Sequence, residues 1–183
     1  MKVEDSHIMN ILYSPIMYVH SDKISEFHSS KNVLNDVILN YWIINQYQLE
    51  HLPETWQPDD AVSALLFNHW QIIPKIADLI GGYLLREQLL IEKLSLIHDS
   101  KLLAFISLPL RHTVTVSQQS KSIDRSVWGI AFIIGLTKNL PIALRQRLHL
   151  FFPKEILLPT PYIAITPDHI NLLKMAINYA YDS

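Results

Sequence analysis

Between Leu65 and Arg86 an amphipathic helical pattern runs into a tryptophan, a proline and a glycine pair in succession. Leu65, Leu66, Trp70 and Ile73 fall at helical spacing. Pro74 cannot continue that helix, because it lacks the backbone N–H and crowds the preceding turn. It can open the next helix as its first residue. Ile76, Ala77, Leu79 and Ile80 then carry the apolar face to Gly81-Gly82, which can supply a left-handed stop. The segment reads as a bent helix pair with Trp70 buried at the bend. It holds no nucleophile, ligand cluster or phosphate cradle, so its residue types describe a scaffold.

The same period recurs along the chain. Val33/Leu34, Val37/Ile38, Tyr41/Trp42 and Ile44 repeat at spacings of three and four, and the spacing predicts helices over 34–49, 59–72, 84–97, 125–138 and 168–180. Near the N-terminus a short helix to about Tyr13 meets a turn at Ser14-Pro15. Asp59-Asp60 after Pro58, Ser100, Asp124 and Thr166-Pro167-Asp168 are the expected helix starts. Pro141 opens a helix that Pro153 closes. The stretch 111–122 is polar and only weakly alternating, so it reads as a loop or linker, or as a short edge strand. With four glycines and no long alternating segment, the expected fold is all-α. One helical domain over 1–183 is expected, with a possible subdomain break at 111–122.

Composition narrows the function classes. Apolar residues make up 49% and charged residues 17%, against a usual charged share of about 25%. Either a partner covers apolar surface, or a large core is wrapped in uncharged polar residues. Without cysteine, disulfide and thiolate chemistry are excluded. Acids near the start and the short run Val127–Leu136, about half a bilayer span, read as a soluble protein without membrane insertion. Residues 1–92 hold 12 acids and 5 bases, whereas 93–183 hold 5 acids and 10 bases. Such a split suits docking between partners of different sign, or neutralisation inside the fold.

A search for chemistry returns little. No two of the nine histidines lie within five residues of each other, so no helical zinc-ligand pair exists. Asp59-Asp60 has a full explanation as helix-start chemistry. His98-Asp99 lacks a nucleophile motif, and Gly81-Gly82 lacks a phosphate-loop context. The chain reads as a non-enzyme without cofactor or metal. From Lys93 to Lys154 there are nine bases and two acids, with Arg145 and Arg147 close together on one expected helix. These two are the candidate partner-contact residues, and their reversal to glutamate is expected to leave the fold intact. A nucleic-acid-binding helical protein using 93–154 is the alternative reading, although aromatic interleaving and a recognition-helix signature are missing.

Four segments together resemble the SctK family of type III secretion systems, also called OrgA and MxiK. Ile11-Leu12-Tyr13-Ser14-Pro15 followed by Tyr18-Val19-His20 resembles its apolar-aromatic-Asp-Pro segment. Trp70-Gln71-Ile72-Ile73-Pro74 with Ala77, Leu79 and Gly81 is similar to its Trp-x-x-Leu-Pro-x-x-Ala-x-Leu-x-Gly pattern, which Leu85-Arg86 and Leu89 continue. Leu140-Pro141, Leu144, Arg147, Phe151-Phe152 and Pro153 resemble its Leu-Pro-x-x-Leu-x-x-Arg segment, and Leu172–Ala180 its last helix. Ser14 departs from a frequent Asp, and Ile73 from Leu. The resemblance implies a non-enzymatic cytoplasmic adaptor at the inner-membrane face of the injectisome. There it would link the ring protein SctD to the pod protein SctQ, which carries SctL and SctN. No nucleic-acid partner is implied.

Trp70→Ala is expected to lower stability by roughly 3–5 kcal/mol, the cost of truncating a buried aromatic. Chemical unfolding measures it. An unchanged midpoint with lost partner binding would make Trp70 an interface anchor instead.

Overall fold

The computed structural model describes residues 3–25, 35–53, 55–91, 99–108, 114, 124–156 and 165–181. In chain order these form α1 (Val3–Tyr13), 3-10 turns Pro15–Met17 and Ser21–Lys23, α2 (Asp36–Gln46), α3 (Ala61–Asn68) and a 3-10 turn Trp70–Ile72. Then follow α4 (Ile73–Leu84), α5 (Arg86–Ile91), α6 (Ser100–Ile106), α7 (Arg125–Leu136), α8 (Ile142–Leu150) and α9 (Pro167–Tyr181). No strand occurs among the described residues, and the fold is all-α. Each of the five predicted stretches overlaps an α-helix: α2, α3, α5 and α7 lie within theirs, and α9 is one residue longer than expected at each end. The expected loop 111–122 lies outside the described residues except for Val114, as does the 92–97 end of the third predicted helix.

Helix starts follow hydrogen-bond acceptors. Asn35, Asp60, Asp99 and Asp124 each accept a backbone N–H from the first turn of α2, α3, α6 and α7, which satisfies donors that have no partner inside the helix. Asp99, not Ser100, caps α6, since Ser100 is already its first helical residue. Burial works to raise the Asp60 carboxyl, but the Ser63 hydroxyl and the Ser63 and Val62 amides outweigh it and hold the group below its ordinary value. At the other end, α2 stops at Gln46 rather than Leu49. Gln48 takes φ 47°, and the Leu49 N–H donates back to Ile44 O at 2.9 Å, a left-handed helix stop built without glycine.

The chain packs as two compact units: unit 1 is Met1–Gln57 with Leu140–Ile156, and unit 2 is Pro58–Asn139 with Leu157–Ser183. In unit 2, α4 packs most extensively on α7 and also meets α6 and α9. The residues of α7 from Trp128 to Ile133 are buried without a break, as expected of a helix that is apolar all round. This is the run that is too short to span a bilayer.

The α4–α7 contact corrects the sequence reading of Gly81. The glycine pair does not stop α4, which continues to Leu84, and no glycine has a positive φ. A Cβ on Gly81 would lie 1.7 Å from Arg125 O, and one on Gly129 would lie 1.7 Å from Ala77 O. Backbone therefore meets backbone on both sides. Gly81 and Gly129 are small because the two helix axes approach closely, not because the chain turns. Pro74 is the second residue of α4, and Trp70, in the 3-10 turn before that helix, is buried at 1% exposure.

Polar groups complete unit 2. Arg125, the first residue of α7, places Nε 2.8 Å from Asp78 Oδ1 and Nη1 3.0 Å from Asp99 Oδ2, tying α7 to α4 and to the cap of α6. His169, buried over Phe132 with ring centroids 5.6 Å apart, accepts the Thr166 N–H at Nδ1, 3.2 Å away. That bond requires the proton on Nε2. Burial lowers its proton affinity against the opposing pull of Asp168, so the ring is held neutral.

Gly81→Ala and Gly129→Ala are expected to cost about 3 kcal/mol each, at the upper end of overpacking losses, because only backbone can yield. Gly82→Ala should cost less than either, because its Cβ meets only the buried Leu102 side chain, which must shift within the core, and alanine gains about 1 kcal/mol of helix propensity. Urea unfolding of the three variants measures the difference.

Candidate docking surface

Unit 1 is organised around Arg147. This side chain is 1% exposed. Its Nε and Nη2 donate to Leu12 O at 3.3 and 3.0 Å, while Nη1 donates to Glu50 O and to Ala143 O, both at 2.8 Å. Leu12 O is among the last carbonyls of α1, which have no acceptor role inside their own helix. One guanidinium thus closes the end of α1, pins the chain after α2 and returns to α8. Burial lowers its proton affinity, with Tyr18 and Tyr13 pulling the other way, and the carbonyl oxygens compensate the buried charge. Tyr18 lies against Phe151 at 4.9 Å and donates to Ile11 O at 2.6 Å. Burial pushes its hydroxyl far above the usual range.

The paired docking role read for Arg145 and Arg147 is therefore corrected for Arg147. Lying inside unit 1, it cannot act as a surface charge, and its reversal would place a carboxylate among carbonyl oxygens. The two residues are two positions apart and so lie on different sides of α8. Arg145 is half-buried, and its Nε has no hydrogen-bond partner among the described residues.

An exposed apolar surface lies on α2. Val37 is 70% exposed, Tyr41 72% and Ile38 52%, while Ile43 is the fully buried residue of this helix. Beside them runs the segment 15–23, bonded to α2 at two points: Ile16 N–H donates to Asn40 Oδ1 at 2.8 Å, and Tyr47 Oη donates to Lys23 O at 3.2 Å. Met17 on this segment is 69% exposed. Val37, Ile38 and Tyr41 share one side of α2 and, with Met17 on the neighbouring segment, leave four large apolar side chains facing solvent. The signal was present in the sequence as excess. Seven of eleven residues in α2 are apolar, more than one buried face requires.

Cations gather near the C-terminal end of α2. Lys23 Nζ sits 5.6 Å above the Tyr47 ring. The His20 N–H donates to Leu150 O at 2.8 Å, which brings the Ser21–Lys23 turn to the end of α8. Arg145 and His149, four apart on α8, share one face. Burial lowers the proton affinity of Lys23, Lys154 adds to this, and Asp22 opposes it. His149 is lowered by burial and then by Lys23 and Arg145. No spacing in the sequence could have paired residue 23 with residues 145 and 149.

The described bases of the long basic run differ in their settings. Arg125 is engaged by two carboxylates and Arg147 is internal, while Lys101 and Lys138 are exposed on unit 2 and Lys154 belongs to unit 1. Among the described residues, no three His, Asp or Glu side chains could hold a metal ion, and no helix is long and apolar enough to cross a membrane.

An all-helical scaffold with a solvent-facing apolar stripe and a cationic end has the features of a protein that works by docking to others. The chain belongs to the family of bacterial type III secretion apparatus proteins OrgA and MxiK, whose family model matches residues 8–182. No curated protein and no solved structure matches it. The match spans both units, including the Trp70-to-Gly81 bend and the Arg147 segment.

Arg147→Ala is expected to lower stability by about 3–5 kcal/mol, because it leaves carbonyl groups without donors in unit 1. Arg147→Lys should recover only part of that, since an ammonium cannot reproduce the fork. Arg145→Gln should leave the urea midpoint nearly unchanged.

Proposed function

We propose that this protein is a non-enzymatic adaptor of the secretion apparatus, acting at the cytoplasmic face of the inner membrane. In this reading it bridges the ring protein SctD and the pod protein SctQ, and through SctQ it connects to SctL and SctN. The observation that carries the reading is the solvent-facing α2 stripe in a chain of this family. Large apolar side chains held outward by a folded unit have little use in an isolated protein and a clear one in an assembly. Two of the carboxylates weighed for catalysis agree with it, since Asp60 and Asp99 are engaged as helix caps.

The test mixes the purified chain with the cytoplasmic part of the ring protein and with the pod protein, singly and together. Size-exclusion chromatography with light scattering reads the result. A ternary complex that neither partner forms with the other alone is expected. Mutually exclusive binding would overturn the bridge. Binding of neither protein, with capture of nucleic acid that falls steeply with salt, would replace it with the nucleic-acid reading.

A further inference from the structure

We propose that the α2 stripe is the seat for an amphipathic helix of a partner protein whose apolar face ends in carboxylates, with those carboxylates lying over Lys23, Arg145 and His149. The inference rests on the adaptor reading and deepens it by naming the chemistry of one contact.

Three observations define the occupant. First, the stripe lies along a helix. Its exposed side chains Val37, Ile38 and Tyr41 span roughly 6 Å of α2, and Tyr47 with Lys23 over its ring stands roughly 9 Å further along. Met17 on the neighbouring 15–23 segment adds width. Apolar residues at a spacing of three and four on a partner helix would meet Val37, Ile38 and Tyr41 in register. Second, the charge is confined to one end. Burial, then Lys23 and Arg145, lower the proton affinity of His149, while burial and Lys154 lower that of Lys23 against the pull of Asp22. Incoming carboxylates would offset the local excess of positive charge. Third, the opposite end of α2 carries the exposed Asp36, so the polarity of the seat runs from negative to positive along the helix.

The same polarity favours a protein helix over a lipid surface. Helices that lie in an anionic bilayer interface carry Lys and Arg along their polar face. The α2 sequence DVILNYWIINQ has neither, and an acid stands at its start. A second copy of this chain fits poorly as well. Paired antiparallel, α2 would set each Asp36 beside the other copy's cationic end, but the four-residue patch falls well short of the roughly 800 Å² per partner that a stable dimer buries.

The experiment uses the full chain and overlapping peptides that cover the ring and pod proteins. Binding is read by fluorescence anisotropy at low and moderate salt. The bound peptides should combine an apolar three-and-four repeat with carboxylates at one end. Val37→Ser with Tyr41→Ser should raise Kd at least about tenfold at either salt. Lys23→Gln with Arg145→Gln should raise it about tenfold at low salt and less at moderate salt, where screening already weakens the charge contribution. All four positions lie outside the buried core, and circular dichroism and urea midpoints confirm that the variants are folded. Bound peptides without carboxylates, or affinities that neither double variant changes, would overturn the proposal. So would capture of the chain by phosphatidylglycerol vesicles through these residues with no peptide bound. If wild type bridges both full-length proteins and both double variants bridge them equally well, this docking site fails while the adaptor reading stands. If wild type binds neither full-length protein but still takes an acidic amphipathic peptide through both residue pairs, the adaptor reading fails and the docking site stands.

Discussion

Unit 1 depends on one buried guanidinium. Two short helices and a loop would each end in carbonyl groups that water could no longer reach, and such groups are costly to bury unpaired. Arg147 supplies donors to Leu12, Glu50 and Ala143 at once. Its neighbour Gln146 extends the same bracket, accepting the Glu50 N–H at 2.7 Å and donating to Gln48 O at 3.2 Å. Together they fix the left-handed turn after α2 without a glycine. The termination of α2 determines where Tyr47 sits, and with it the placement of Lys23.

Unit 2 solves a different problem by a different constraint. Its central helix is apolar on every side and must be enclosed, so the neighbouring helix has to come close. Close approach requires small residues where the axes cross, and Gly81, Ala77 and Gly129 meet that demand. The ion pairs of Arg125 then sit at the edge of this contact, about a third exposed, where solvent screens them and their contribution is mainly to alignment. Unit 2 is thus dominated by packing, whereas unit 1 relies more on a satisfied polar network and leaves apolar surface outside.

That leftover surface separates the two roles an apolar residue can take. On α7 the apolar residues are enclosed, whereas Val37, Ile38 and Tyr41 on α2 are not. Composition alone describes both helices in the same terms, and the shortage of charge in the chain fits either a large core or a covered surface. The outward stripe supports the second reading for unit 1. Arg145 and Arg147 illustrate the same point for charge. They are two residues apart and chemically alike, yet one faces the surface cluster and the other is internal.

The sequence by itself determined the elements, because these depend on local physics. Apolar spacing near 3.6 located the helices, prolines placed breaks at Pro74 and Pro141, and aspartates capped α3 and α7 through bonds spanning only two or three residues. It also placed Trp70 inside, since a large aromatic at a helix bend has few other places to go. Family resemblance was legible because its motif residues, Trp70, Pro74, Gly81 and Arg147, serve the fold. Only the tertiary structure decided what those residues pack against and which apolar side chains stay exposed. Gly81 was read as a stop because a glycine's freedom in φ is local, while the backbone of α7 pressing on it comes from far along the chain. Arg147 was read as surface because charge prefers water, and nothing near it in sequence announces the Leu12 and Glu50 carbonyls. Which apolar residues of α2 remain outside depends on how many neighbours reach that helix, a quantity that the packing of distant segments sets.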